Sequence, residues 1–248
     1  MKPTDLLPKP VRRKLRQLLL NDPVLVSFPK SGRTWIRFMM RGLNIPLQFE
    51  HAGSKGTQPI DKSGYRKKRV ILLIRDPRDT VVSYFHHCRT RTSTGYHGTI
   101  SEFIRTPGSG IERIVAFNKA WLLSEGQPRD FTMMEYERLR SDVEPELRRL
   151  IAFASRRRVP DQHLREVIEK GSFDNLKKLE ASGAVRRKYG KALTPGNPED
   201  QNSFKVRKGK VGGYKDELPP EDIDFCNDVI ESAGYWQAVE DCRQRLGF

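Results

Sequence analysis

Two short apolar runs constrain this chain most. VLVSF at Val24–Phe28 and VILLI at Val70–Ile74 each lead into a polar loop and then into a helical segment. A strand with one wet face alternates apolar and polar residues, whereas a strand covered on both faces need not. Such runs, alternating with helices, predict a parallel sheet covered by helices on both sides, a three-layer α/β architecture. FTMME at Phe131–Glu135 reads as a third strand. Helices are expected at Thr34–Gly42, from the loop at Arg75-Asp76-Pro77 to Cys88, and at 111–125, where polar Asn118 interrupts an apolar face. Ser141 and Glu144 have the spacing of a capping box for a helix running to Ala154. Asp161 and Ser172 read as caps of two further helices. Pro220 opens what reads as the last helix, ended by Gly234. Between Gly183 and Lys215 the chain is rich in Gly, Pro and basic residues without periodicity, and 183–218 is expected to form a mobile lid.

The 248 residues fit one domain, 1–248, with a basic N-terminal extension over 1–22. No apolar run approaches the ~20 residues that span a bilayer. Leu18-Leu19-Leu20 is too short for a secretory signal core, so a cytoplasmic protein without membrane insertion is expected. Three cysteines, Cys88, Cys226 and Cys242, lack metal-ligand spacing and read as idle thiols. A net charge of +15 calls for anionic partners: nucleic acid, an anionic membrane or small phosphorylated ligands. The basic clusters are dispersed, and each alone reads as a solvated face.

Chemistry begins at SFPKSGRTW, Ser27–Trp35. A strand, a Lys-Ser-Gly turn and a helix start form an anion site, because free N–H groups and the helix dipole face the ligand. Gly32 allows close backbone approach, and Lys30 supplies a point charge. The pattern GxxxxGK[ST] is absent, and with it the usual reason to expect Mg²⁺. Arg75, at the end of a strand, and Ser83, on the next helix, are placed to converge on one phosphate.

These segments resemble the sulfotransferases that use 3′-phosphoadenosine-5′-phosphosulfate (PAPS) and release 3′-phosphoadenosine-5′-phosphate (PAP). PKSGRTW is similar to their 5′-phosphosulfate loop, and VILLIRDPRDTVVSYFHH to their second nucleotide segment. FTMMEYERL, GSFDNLKKLE and FKVRKGKVGGYKDEL resemble three later motifs, in the same order. The resemblance implies a P-loop-like α/β fold. It implies that Lys30, Ser31, Gly32, Arg33, Thr34 and Trp35 hold the 5′ end of the donor. Arg75, Ser83, Arg207, Lys208 and the Gly209 backbone would hold the 3′-phosphate, and Tyr136 and Phe173 the adenine. Arg33 departs from the family's usual Thr, and Gly213-Tyr214 from its Asp-Trp.

Transfer to a hydroxyl or amine needs a general base with a pKa near the working pH, which favours His. His86, His87, His97 and His163 lie elsewhere; His51, in FEHAGS, is the only histidine between the first loop and the second strand, and it is chosen as the base, with Glu50 as the alternative. Ser83 and Lys30 are the other catalytic candidates. His86 and His87 either line the acceptor site or face solvent. No metal is expected, because Lys and Arg supply the positive charge. The acceptor, a small molecule, glycan or lipid headgroup, is not legible, nor is the oligomeric state. Two alternatives are a P-loop small-molecule kinase and a non-enzymatic nucleic-acid binder; no nucleic-acid partner is expected.

Overall fold

The computed structural model describes residues 23–91, 95–124, 128–155, 157–182, 203–204 and 206–248. The N-terminal extension and most of the expected lid lie outside them.

Strands β1 (Val24–Ser27), β2 (Gln48–Glu50), β3 (Arg69–Ile74) and β4 (Asp130–Glu135) form one sheet in the order β2-β1-β3-β4. All pairings are parallel, with Val24 opposite both Gln48 and Val70, and Arg69 opposite Asp130. The two apolar runs are thus the adjacent central strands. β2 was not foreseen: it is a three-residue, half-buried edge strand without an apolar run.

The two-residue period of the strands divides the core into two layers. Val24, Val26, Val70 and Leu72 face α2 (Pro77–Arg91), α4 (Ile111–Leu122), α9 (Pro220–Ser232) and α10 (Tyr235–Leu246). Leu25, Ile71 and Leu73 face α1 (Arg33–Gly42), α6 (Val143–Ala154) and α7 (Asp161–Lys170). The expected three layers are present. Shorter helices α3 (Ile100–Ile104), α5 (Tyr136–Ser141) and α8 (Phe173–Ser182) complete the set among the described residues.

Several local expectations fail for identifiable reasons. Gly234 does not end the last helix. It sits at φ +58° between α9 and α10, and Tyr235, Ala238, Val239 and Cys242 bury a face of helical spacing. The Tyr235 hydroxyl accepts a hydrogen bond from Asn118 at 3.1 Å, which explains the polar interruption in α4. Nor does the capping box at Ser141 form. Ser141 is still helical in α5 and donates its hydroxyl to the Arg138 carbonyl, while Asp142 takes the N-cap place without a side-chain bond. A true capping box pairs Thr99 with Glu102 ahead of α3. Asp161 is the first helical residue after Pro160 rather than a cap, whereas the Ser172 hydroxyl accepts from the Asn175 N–H at 3.4 Å. Cys226 and Cys242 are buried, and none of the three cysteines forms a disulfide.

Candidate active site

Parallel strands deliver their carboxyl ends to one side, where the loops of an α/β sheet build a site. β1 ends at the Lys30 loop, β3 at Arg75 and β4 at Tyr136. Between these ends lies a cleft open to solvent. Gly32, Trp35, Arg75, Ser83 and Tyr136 line it, joined by Phe173, Arg207, Lys208 and Gly209 from later in the chain. Residues from all five motifs therefore meet in one cavity. The side chains of Lys30, Ser31, Arg33, Thr34 and His51 are not on its walls.

The first loop is a strained cradle. Lys30 adopts φ +74° and Gly32 φ +97°, a left-handed region costly for a residue with a side chain. A Cβ on Gly32 would also lie 2.5 Å from the Tyr136 ring. Helix α1 starts at Arg33, so its first-turn N–H groups point back along the loop. The Ser31 hydroxyl is fully buried without a hydrogen-bond partner, and so is the Arg75 Nε–H. Two orphaned buried donors at a helix N-terminus fit a bound anion. Gly209 makes a second close approach: at φ +61°, its added Cβ would lie 2.3 Å from the Phe173 ring.

Arg75 ties the segments together. Its guanidinium donates to the carbonyls of Lys30 (3.4 Å) and Lys210 (3.3 Å) and lies 4.6 Å over the Tyr136 ring. It also pairs with Asp79 at 3.5 Å. Asp79 is buried and accepts the N–H groups of Gly212 and Tyr214, both at 2.9 Å, so α2 pins the basic loop over the cleft. Arg75 and Asp79 thus form an internal brace.

Two wall residues were missed. Arg140 lies 5.7 Å from the ring centres of both Trp35 and Phe173. Its spacing of four from Tyr136 on a short helix was the available signal. Glu217 was the second. Arg207 donates to it with two nitrogens at 2.8 and 3.0 Å, Lys208 at 3.0 Å, and His86 Nε2 lies 2.6 Å away. Burial opposes ionisation of Glu217, but bonds from His86, Arg207 and Lys208 outweigh it and hold the carboxyl well below its ordinary range. A carboxylate thus sits among the cations that the resemblance gives to a 3′-phosphate. His86 is therefore tied to a carboxylate of the wall, while His87 stacks on Tyr84 with ring centres 6.1 Å apart.

His51 follows β2, beside the end of β1. Its Nδ1–H donates to the Ser27 carbonyl at 3.1 Å, which leaves Nε2 as the basic nitrogen. The Arg33 guanidinium donates to that Nε2. Burial, then the charge of Arg33, push the His51 pKa down to about 4 against the Ser27 carbonyl, with Lys55 and Arg37 adding to the fall. His51 is neutral at neutral pH. Behind it, buried Arg113 donates to the carbonyls of Gly53, Ser54 and Gln58 at 2.6, 3.2 and 2.8 Å, fixing the turn that carries the histidine. Glu50 points elsewhere, accepting the Tyr65 hydroxyl and lying 3.5 Å from Lys68. The charges of Lys30 and Lys55 both reach Cys88 on α2. No cluster of three or more His, Cys, Asp or Glu side chains able to hold a metal occurs among the described residues. No helix among them is long and apolar enough to cross a membrane.

Comparison with known proteins agrees with this architecture. The sulfotransferase-domain family model matches residues 60–243, which include Arg75, Ser83, Tyr136, Phe173 and Arg207 but not Lys30 or His51. Cytosolic sulfotransferase 12 of Arabidopsis thaliana is 31% identical over 246 residues, 80% of this chain and 72% of that protein. Flavonol 3-sulfotransferase of Flaveria bidentis is 22% identical over 262 residues, covering 85% and 81%. Mouse sulfotransferase SULT7A1, solved in complex with PAP, superposes with a TM-score of 0.64 at 20% identity, covering 91% of this chain and 88% of that one. Neither the kinase nor the nucleic-acid reading is favoured by these likenesses. With the family model matching well over half of the chain, the protein belongs to the sulfotransferase family and is a sulfuryl-transferring enzyme.

Proposed function

We propose that the cleft binds PAPS as the donor and that the enzyme passes its sulfuryl group to a hydroxyl or amine of a small-molecule acceptor. The observation that carries this reading is the convergence of cations and aromatic rings on one cleft. Arg75, Arg140, Arg207 and Lys208 line it together with Trp35, Tyr136 and Phe173, and Arg75 holds the Lys30 loop against it. A nucleotide phosphorylated at both ends of its ribose matches such a cleft. In this assignment Ser31, Gly32, Thr34 and Trp35, with the backbone N–H of Arg33, cradle the 5′ end, and the Gly209 backbone borders the 3′ end.

The acceptor oxygen or nitrogen attacks sulfur while the bond from sulfur to the 5′-phosphate oxygen breaks. That oxygen keeps the electron pair and leaves on PAP. His51 Nε2 takes the acceptor proton, once Arg33 has released it. Lys30 stabilises the charge growing on the leaving phosphate, an electrostatic contribution made mainly in the transition state. Ser83 positions this lysine or the phosphate. The names of the cytosolic relatives support a cytoplasmic site of action.

Thermal unfolding tests the donor reading. PAP at 100 times its dissociation constant should stabilise the fold by about 2.7 kcal/mol, a rise of roughly 5–10 °C for a chain of this size. AMP and Mg²⁺–ATP should do much less, and Arg75→Ala should lose most of the PAP shift. A larger shift with Mg²⁺–ATP than with PAP would sink the reading.

A related measurement concerns Glu217, which PAP must displace from Arg207 and Lys208. Removing one charge-assisted competitor is worth roughly 1.5–3 kcal/mol before losses, so Glu217→Gln should bind PAP about tenfold tighter by calorimetry. AMP, lacking the 3′-phosphate, should bind both forms alike.

A further inference from the structure

Among the described residues, the cations around His51 have no ion-pair partner. Arg33 is half-buried, and among the described residues its guanidinium makes a single hydrogen bond, to the neutral His51 Nε2. The side chain is partly exposed, which gives a ligand access to it. Arg37, four residues on along α1, lies 4.6 Å over the Phe49 ring. The charges acting on His51 are those of Arg33, Lys55 and Arg37, and the charge acting on Arg33 is that of Arg37. Glu50, adjacent in sequence, is engaged by Tyr65 and Lys68 instead.

Resting on the reading of His51 as the base, we propose that the acceptor carries an anionic group, a carboxylate, sulfate or phosphate, within reach of its reacting hydroxyl or amine, and that Arg33 receives it. A guanidinium taken out of water without a counter-ion is costly, and a ligand that supplies the counter-charge recovers that cost. The acceptor hydroxyl must occupy His51 Nε2, the atom Arg33 now holds. Whatever lies beside that hydroxyl therefore meets the guanidinium. A flat fork with several donors recognises a planar or tetrahedral anion by paired hydrogen bonds, which a neutral acceptor cannot match. The same contact links recognition to chemistry: an anion that draws Arg33 to itself vacates Nε2 for the proton.

The full-length protein is titrated, with and without PAP, with 3- and 4-hydroxybenzoate and with the neutral 3- and 4-hydroxybenzamides. The His51 imidazole resonance reports occupancy. At least one acid should bind about tenfold tighter than its amide. In Arg33→Thr that preference should shrink to about twofold, and Arg33→Lys should keep part of it. PAP and PAPS affinities should stay within about twofold in both variants, which also shows that they fold. Equal binding of acids and amides, no response to either at millimolar concentration, or a preference that survives Arg33→Thr overturns the proposal. Loss of PAPS affinity in Arg33→Thr with acid preference unchanged assigns Arg33 to the donor instead, and also overturns it. Failure of the wild type to bind PAP strikes the donor reading alone, because the probes are also titrated without nucleotide.

Discussion

His51→Ala is expected to lower transfer by about 10²–10⁴-fold, the usual range for a general base, while PAP affinity stays within a few-fold. The small effect on PAP follows from position, since His51 is not on the wall of the nucleotide cleft. Its pH dependence has a defined sign. Burial, then Arg33, depress the His51 pKa to about 4, so the proton-free form that can act as base is present above that value. Transfer should be lost as pH falls through it, and the acid limb of kcat/KM should lie well below the ordinary histidine value near 6.5. Glu50→Gln should leave both rate and limb close to wild type, because that carboxylate is committed to Tyr65 and Lys68. Wild-type turnover in His51→Ala, or loss of transfer in Glu50→Gln with PAP binding intact, would move the base to another residue.

Lys30→Met should cost about 10²–10³-fold in kcat with little change in acceptor KM. Removing one preorganised donor from developing charge has that effect, and methionine keeps most of the stem. The loop should hold its shape, because the Arg75 guanidinium grips the Lys30 carbonyl rather than its side chain. PAP affinity should fall less than kcat, since the lysine acts most on charge that appears as the bond breaks. Equal losses in kcat and in PAP affinity would make Lys30 a binding residue only.

The departures from the family pattern account for what is particular to this chain. Arg33, where the family commonly has Thr, donates to His51, the proposed base. Near the C-terminus, Gly213-Tyr214 still receives the brace from Asp79, with the Tyr214 N–H 2.9 Å from the Asp79 carboxylate. A carboxylate four residues after Arg75 thus holds this part of the loop.

The sequence by itself determined the sheet and the cleft proposed to hold the donor. VLVSF and VILLI are too apolar to lie anywhere but in the centre of a covered parallel sheet, and that geometry carries the loops after them to one end. The motifs matched in order because each is local: a turn, a strand end, one helix face. What only the tertiary structure decided are contacts between segments far apart in the chain. Glu217 answering Arg207 and His86, Arg113 bracing the His51 turn, Arg33 on His51 and Asn118 meeting Tyr235 leave no periodic trace. Hydrophobic burial is read from residue type and spacing alone. A hydrogen bond or ion pair requires two particular atoms within about 3 Å, and only the folded packing brings them there.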